Sequence, residues 1–407
     1  MGKGLRKAVV FGAGMVGRGF LGQLFSESGY QVTFVDIDRE LVEAINARGG
    51  YWLRLVDNEG PQELWIAPVK AIDGRAVDRA ASVLSQAELA ATAVGARALP
   101  AIAPIFAQAI AWRAEAELES PLNIVVCENL KEASAIFRQM VRQSLEPRYH
   151  SFFEDRIGFV MAVIGRMAPI IAPEVRQQDP ALMIAEPYKE LPVSREGFVG
   201  PIPEIVGLRA EPDFEAWVAR KLYLHNAGHA MLAYLGYLKD LTYGYEALRD
   251  PDVRPLFDRA LDESLRALVA EFGFAESDLR SHAADVIRRL DNQALADTIF
   301  RLARDPLRKL GPEDRLVGAA RLALKHGIVP QGLAWGIAAG LSYDDPQDPR
   351  AIKLQRLLAI EGIESVLQSL CGLDPNIQPS KQLTDLVLAR YAALRRGAFR
   401  LRFTPST

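Results

Sequence analysis

The stretch FGAGMVGRG, residues 11–19, constrains the fold more than any other segment. An apolar run, Lys7–Phe11, leads into it and a helical run from about Arg18 to Ser28 leads out. A second apolar run, Gln31–Val35, then ends on Asp36. Strand, glycine turn, helix and second strand in this order make a parallel βαβ unit. Gly12 permits the tight turn, Gly14 lets the backbone approach a pyrophosphate, and Gly17 lets the helix sit close to the sheet. Phe11, Ala13, Met15, Val16, Arg18 and Gly19 complete the turn, and unpaired N–H groups at the helix start would hold the pyrophosphate. A GxGxxG alone recurs by chance; the flanking strands and a carboxylate 22 residues past Gly14 give it meaning. Asp36 can accept hydrogen bonds from both adenosine ribose hydroxyls and would repel a 2′-phosphate, so NAD is expected rather than NADP. Arg39, close by, reads as a solvated helix residue.

The first half of the chain continues the alternation. Helical Asp38–Arg48 precedes YWLRLVD and ELWIAPVKAI, which read as extended. Ala91–Val94 is a further strand, Ile102–Ala114 a helix, and Asn123–Cys127 an apolar run ending in Glu128-Asn129. Runs apolar on both faces suit a parallel sheet covered by helices. From Glu211 onwards the segments are long and amphipathic: Phe214–Tyr237, Pro255–Glu271, Ser277–Leu290, Leu295–Ala303, Leu316–Leu324, Gln355–Leu370 and Ser380–Leu394. The expected architecture is α/β: a Rossmann-type dinucleotide-binding domain over 1–200, then a mainly α-helical substrate-binding and catalytic domain over 201–407. The boundary falls in the Pro- and Gly-punctuated stretch Pro187–Pro203.

With 407 residues there is material for two cores, and a net charge of −3 gives no sign of a nucleic-acid or membrane surface. Cys127 and Cys371 are the only cysteines, which fits a reducing compartment. The first residues, MGKGLRKAVVF, lack a signal-peptide apolar region, and no apolar span reaches about 18 residues, so a cytoplasmic protein is expected. The amphipathic helices leave the oligomeric state open, because they bury apolar stripes equally well within a chain or between chains.

Chemistry concentrates in KLYLHNAGHA, residues 221–230. At about 100° per residue, Asn226 lies about 140° and His229 about 80° from Lys221, so the three share one side of an α-helix. The same residues also read as a solvated lysine, an asparagine at a helix break and a core histidine. His225 and His229 stand four apart, but no glutamate lies between them in the HExxH arrangement, and no metal is expected.

This face resembles the K-x4-N-x2-H motif of the polyol-specific long-chain dehydrogenases. The resemblance is closest to their short branch, the mannitol-1-phosphate 5-dehydrogenases. FGAGMVGRGFLG at 11–22, TAVG at 92–95, VCENL at 126–130, RKLYLHNAGHAMLAYLG at 220–236, RDPLRKL at 304–310 and CGLDP at 371–375 carry it along almost the whole chain. The resemblance implies that Lys221 is the general acid/base, that Asn226 hydrogen-bonds the reacting oxygen and that His229 fixes the substrate. It brings Thr92, Glu128 and Asn129 to the cofactor. A lysine serves as base only when burial or nearby positive charge lowers its pKa. Arg308 and Lys309 are the candidates for a substrate phosphate.

The sequence departs from the branch at Ala219, where an acidic residue is usual, and at Gly165-Arg166, where an Asp-Arg pair is usual. The implied reaction is NAD-dependent interconversion of D-mannitol 1-phosphate and D-fructose 6-phosphate. Rivals are the same chemistry on an unphosphorylated polyol or hexonate, such as mannitol or altronate, and a non-catalytic NAD-binding sensor. The expected partner is thus a small polyol or polyol phosphate, not nucleic acid or membrane.

Overall fold

The computed structural model describes residues 5–397. The chain divides into two compact units between Phe214 and Glu215.

In the first unit, eleven strands run in chain order: β1 (Arg6–Phe11), β2 (Tyr30–Asp36), β3 (Tyr51–Asp57), β4 (Gly60–Ile66), β5 (Val69–Asp73), β6 (Leu89–Thr92), β7 (Leu122–Val126), β8 (Ile157–Met161), β9 (Met183–Ala185), β10 (Leu191–Ser194) and β11 (Leu208–Glu211). Six form one parallel sheet in the order β5-β2-β1-β6-β7-β8. Every residue of β6 and β7 is buried, because helices cover both sheet faces and give each its own apolar core. This is a Rossmann-type domain, and the glycine turn leaves β1 beside the point where the strand order reverses.

ELWIAPVKAI does not form one extended element. It splits at Ala67-Pro68 into β4, antiparallel to β3 in a small separate sheet with β9, and β5, at the edge of the main sheet. The break between units also falls later than 200/201: β11 pairs in parallel with β10, which holds residues 208–211 to the first unit.

The second unit is helical. Helices occupy Val253–Phe272, Glu276–Leu290, Val317–Lys325 and Ser380–Arg395, close to the amphipathic runs. Leu295–Ala303 is shorter than the pattern suggests: its helix starts at Ile299, where the Thr298 hydroxyl caps the Arg301 N–H. Gln355–Leu370 is broken by Gly362, at φ +78°, into Pro349–Glu361 and Ile363–Ser369. The helix Gln331–Leu341 has no polar stripe to announce it. It is buried nearly all round, and its small residues admit neighbours: a Cβ on Gly332 would meet the Ala260 backbone at 2.5 Å.

Phe214–Leu238 is helical throughout but not regular. α-Helical turns at Phe214–Arg220 and Ala227–Leu238 flank a π-helical turn, Lys221–Asn226, in which the Ala227 N–H donates to the Leu222 carbonyl. Gly17–Leu21 forms a second π turn, with the Leu21 N–H donating to the Val16 carbonyl at 3.0 Å. Among the described residues, no helix is long and apolar enough to cross a membrane.

Candidate active site

Backbone dictates the glycine turn of the first unit. Gly12 sits at φ +91°, and a Cβ there would lie 2.3 Å from the Ala93 carbonyl oxygen. A Cβ on Gly17 would lie 1.9 Å from the Gly12 carbonyl oxygen, so helix and strand approach closely only without a side chain. Gly14 has nothing within 4 Å of where a Cβ would stand, and Met15 beside it is exposed. The N–H groups of Gly14, Met15 and Val16 have no hydrogen-bond partner among the described residues. Asp36 closes the turn: its Oδ2 accepts the Ala13 N–H at 2.6 Å and its Oδ1 the Asp38 N–H at 3.0 Å. An open glycine face, free N–H groups and a fixed carboxylate fit a dinucleotide, with the N–H groups toward pyrophosphate and Asp36 toward ribose hydroxyls.

Other residues of the stretch serve the fold. The Phe11 ring is core, 4.5 Å from that of Phe106, and Gly19 lies against the Met183 side chain. Arg18 is buried rather than displayed. Its guanidinium donates to the carbonyls of Ala13, Ala181 and Leu182. Arg39 is largely exposed and pairs with Asp73 at 3.3 Å. Thr92 is buried at the end of β6, and Asn129 is exposed after β7. Glu128 is buried and accepts the Val94 N–H at 3.0 Å; burial pushes its carboxyl above the usual range, and that bond opposes the shift. At the departures from the family pattern, a Cβ on Gly165 would come 3.0 Å from the Tyr188 ring, while Ala219 is half-buried.

In the second unit the π turn alters the arrangement of the motif. Hydrogen bonding from i to i+5 brings Lys221 and Asn226 to successive turns of one face, closer than the α-helical spacing of about 140° allows. His229 follows one turn later, its ring 4.7 Å from that of His225 and nearly perpendicular to it. Lys221, Asn226 and His229 are each half-buried. Neither the Lys221 amine, the Asn226 amide nor the His229 ring nitrogens has a hydrogen-bond partner among the described residues. Burial, helped by the Arg315 charge, pushes Lys221 down to about 8. His229 is held down to about 3 by burial and then by Arg315 and Lys309, so its ring is neutral at physiological pH. A neutral imidazole, an amide and a lysine near its titration point can accept, donate and exchange a proton at one oxygen.

Arg315 escaped the sequence reading. Its guanidinium is buried, with Nε 2.7 Å from Asp314 Oδ1, and nothing in GPEDRL marks it as interior. The expected phosphate pair is arranged otherwise. Arg308 is exposed and paired with Asp305 at 3.2 Å and Asp314 at 3.4 Å. Lys309 is buried with its amine on the Leu302 carbonyl, and burial with the Arg315 charge lowers it to about 7. Among the described residues no three His, Cys, Asp or Glu side chains converge as a metal site.

Residues 6–207 match the mannitol dehydrogenase Rossmann domain and residues 213–385 the mannitol dehydrogenase C-terminal domain. The chain belongs to the mannitol dehydrogenase family. Among family members, the mannitol-1-phosphate 5-dehydrogenase of Bacillus licheniformis is 37% identical over 368 residues, 90% of this chain and 96% of the relative. That of Geobacillus stearothermophilus is 37% identical over 369 residues, 90% and 95% of the two chains. Two solved structures share the fold. A substrate-free D-sorbitol dehydrogenase has a TM-score of 0.80 at 17% identity, covering 96% of this chain and 93% of its own. The Pseudomonas fluorescens mannitol 2-dehydrogenase, in a ternary complex with NAD and D-mannitol, has a TM-score of 0.71 at 18% identity, covering 96% and 92%.

Proposed function

We propose that this member of the family is an NAD-dependent dehydrogenase that interconverts D-mannitol 1-phosphate and D-fructose 6-phosphate, with Lys221 as general acid/base. The observation that carries the reading is the face built around the π turn: Lys221, Asn226 and His229, without hydrogen-bond partners among the described residues, with the lysine lowered to about 8. The relatives named for mannitol 1-phosphate, matched over nearly their full length, support the substrate.

When bound at the glycine turn, NAD supplies the hydride acceptor for oxidation and, as NADH, the donor for reduction. In oxidation, neutral Lys221 Nζ takes the proton of the C5 hydroxyl. Asn226 and the neutral His229 donate hydrogen bonds to that oxygen, which stabilises the charge as it builds. In reduction, the Lys221 ammonium returns the proton to the same oxygen. A pKa of about 8 keeps both forms of Lys221 populated near neutral pH, so one group serves both directions. Asp36, with no basic side chain bonded to it among the described residues, favours NAD over NADP. A reducing cytoplasm suits the free, buried thiols of Cys127 and Cys371.

The test is NADH formation by the purified protein with mannitol 1-phosphate, mannitol and altronate. The reading expects a kcat/KM far higher for the phosphate ester. Preference for either unphosphorylated compound overturns the substrate but keeps the chemistry, and cofactor binding without turnover of any of the three supports the sensor.

A further inference from the structure

Arg315 lies in the connection between Pro306–Lys309 and the helix Val317–Lys325. Leu310 and Tyr234 flank the Gly340 position, Leu316 and Met231 flank that of Gly336, and the Tyr223 hydroxyl lies over Gly318. The connection therefore holds Arg315 beside the helix that carries Lys221, Asn226 and His229. Among charged neighbours, Arg315 acts most strongly on both Lys221 and His229.

The guanidinium is incompletely satisfied. Only 8% of the residue is exposed, and among the described residues its side chain bonds through Nε to Asp314. Nη1 and Nη2 have no hydrogen-bond partner among the described residues, and Asp314 is shared with Arg308. A second donor sits in the same field: the Tyr234 hydroxyl is fully buried, has no partner among the described residues and has Arg315 as its leading charged neighbour. A largely buried guanidinium with its Nη donors open is placed to take an anionic ligand. Arg308, by contrast, is exposed with two carboxylates on it, and the Lys309 amine is spent on a backbone carbonyl.

We infer that Arg315 is the substrate's phosphate anchor, its Nη edge gripping a phosphate monoester dianion while Lys221, Asn226 and His229 hold the reacting hydroxyl. This inference rests on the reading of the substrate as a polyol phosphate. A guanidinium presents two parallel N–H donors to two phosphate oxygens, which a hydroxymethyl end cannot match. Arg315 is thus the residue that selects the phosphate ester over the free polyol.

The experiment compares wild type, Arg315→Met, Arg315→Lys and Arg308→Met, taking the ratio of kcat/KM for mannitol 1-phosphate to that for mannitol. Inhibition by inorganic phosphate is measured alongside, and NADH binding and thermal melting report folding. In Arg315→Met the ratio falls about 100-fold, mainly through KM for the ester, and competitive inhibition by phosphate is lost. Arg315→Lys falls about tenfold, because one charge survives but the fork does not, and it carries the test if the methionine variant fails to fold. Arg308→Met keeps the wild-type ratio. An Arg315 variant that folds and keeps both the ratio and the phosphate inhibition overturns the inference, as does collapse of the ratio in Arg308→Met instead. A wild type that turns over mannitol as well as its phosphate overturns the substrate reading itself, and the inference with it.

Discussion

The glycine turn of the first unit and the Lys–Asn–His turn of the second share a device and differ in what uses it. A π turn follows the first glycines and another holds Lys221 and Asn226, with i to i+5 bonds at Val16–Leu21 and Leu222–Ala227. In the first, the proposed recognition belongs to the backbone: N–H groups without partners among the described residues and the absence of Cβ atoms would form the cradle. In the second it belongs to side chains, and the extra residue in the turn brings Lys221 and Asn226 onto one face. Substitutions should therefore divide the two regions by kind as well as by size.

The largest effect is expected at Gly12. Alanine there meets the Ala93 carbonyl in a backbone region that L-residues avoid, so Gly12→Ala should cost about 3 kcal/mol or abolish folding. Gly14→Ala, in open space and at ordinary φ, should shift stability by only about 0.5 kcal/mol while weakening NAD binding. Melting curves with NADH titrations separate the two, and equal destabilisation would break the backbone account of this turn.

In the second region the order reverses, with chemistry lost and fold kept. The Asn226 amide has no hydrogen-bond partner to lose among the described residues, so Asn226→Ala should leave the melting temperature nearly unchanged while kcat falls about 100-fold. A large loss of stability would show that the amide holds the turn together. Smaller again is Asp36→Ala: about a tenfold rise in KM for NAD, with NADP gaining relative to NAD. An unchanged cofactor ratio would remove Asp36 from ribose recognition.

The same contrast explains how much was legible in the sequence. A backbone site leaves its glycines in the chain at fixed spacing, so β1, the turn, β2 and Asp36 could all be read directly. The Lys–Asn–His motif was legible as residue types, but its geometry was not, since α-helical periodicity carries no sign of a π turn. Arg315 was not legible at all. A charged residue signals exposure by default, and only tertiary packing buries this one beside Lys221. Arg308 and Lys309 drew attention as adjacent cations, yet ion pairing and a backbone carbonyl engage them. The helix Gln331–Leu341 is illegible for a related reason: burial on nearly all sides erases the amphipathic period.

The central claim is that Lys221 is the proton acceptor, and the pH dependence of kcat for mannitol 1-phosphate oxidation, in wild type and Lys221→Ala, tests it most directly. The base form is the active one in oxidation, so the wild-type rate should rise with pH and level off above about 8. His229, held down to about 3, adds no step near neutral pH. Lys221→Ala should be about a thousandfold slower, without that rise, while still binding NADH. A variant that keeps the wild-type rate and profile would contradict the account.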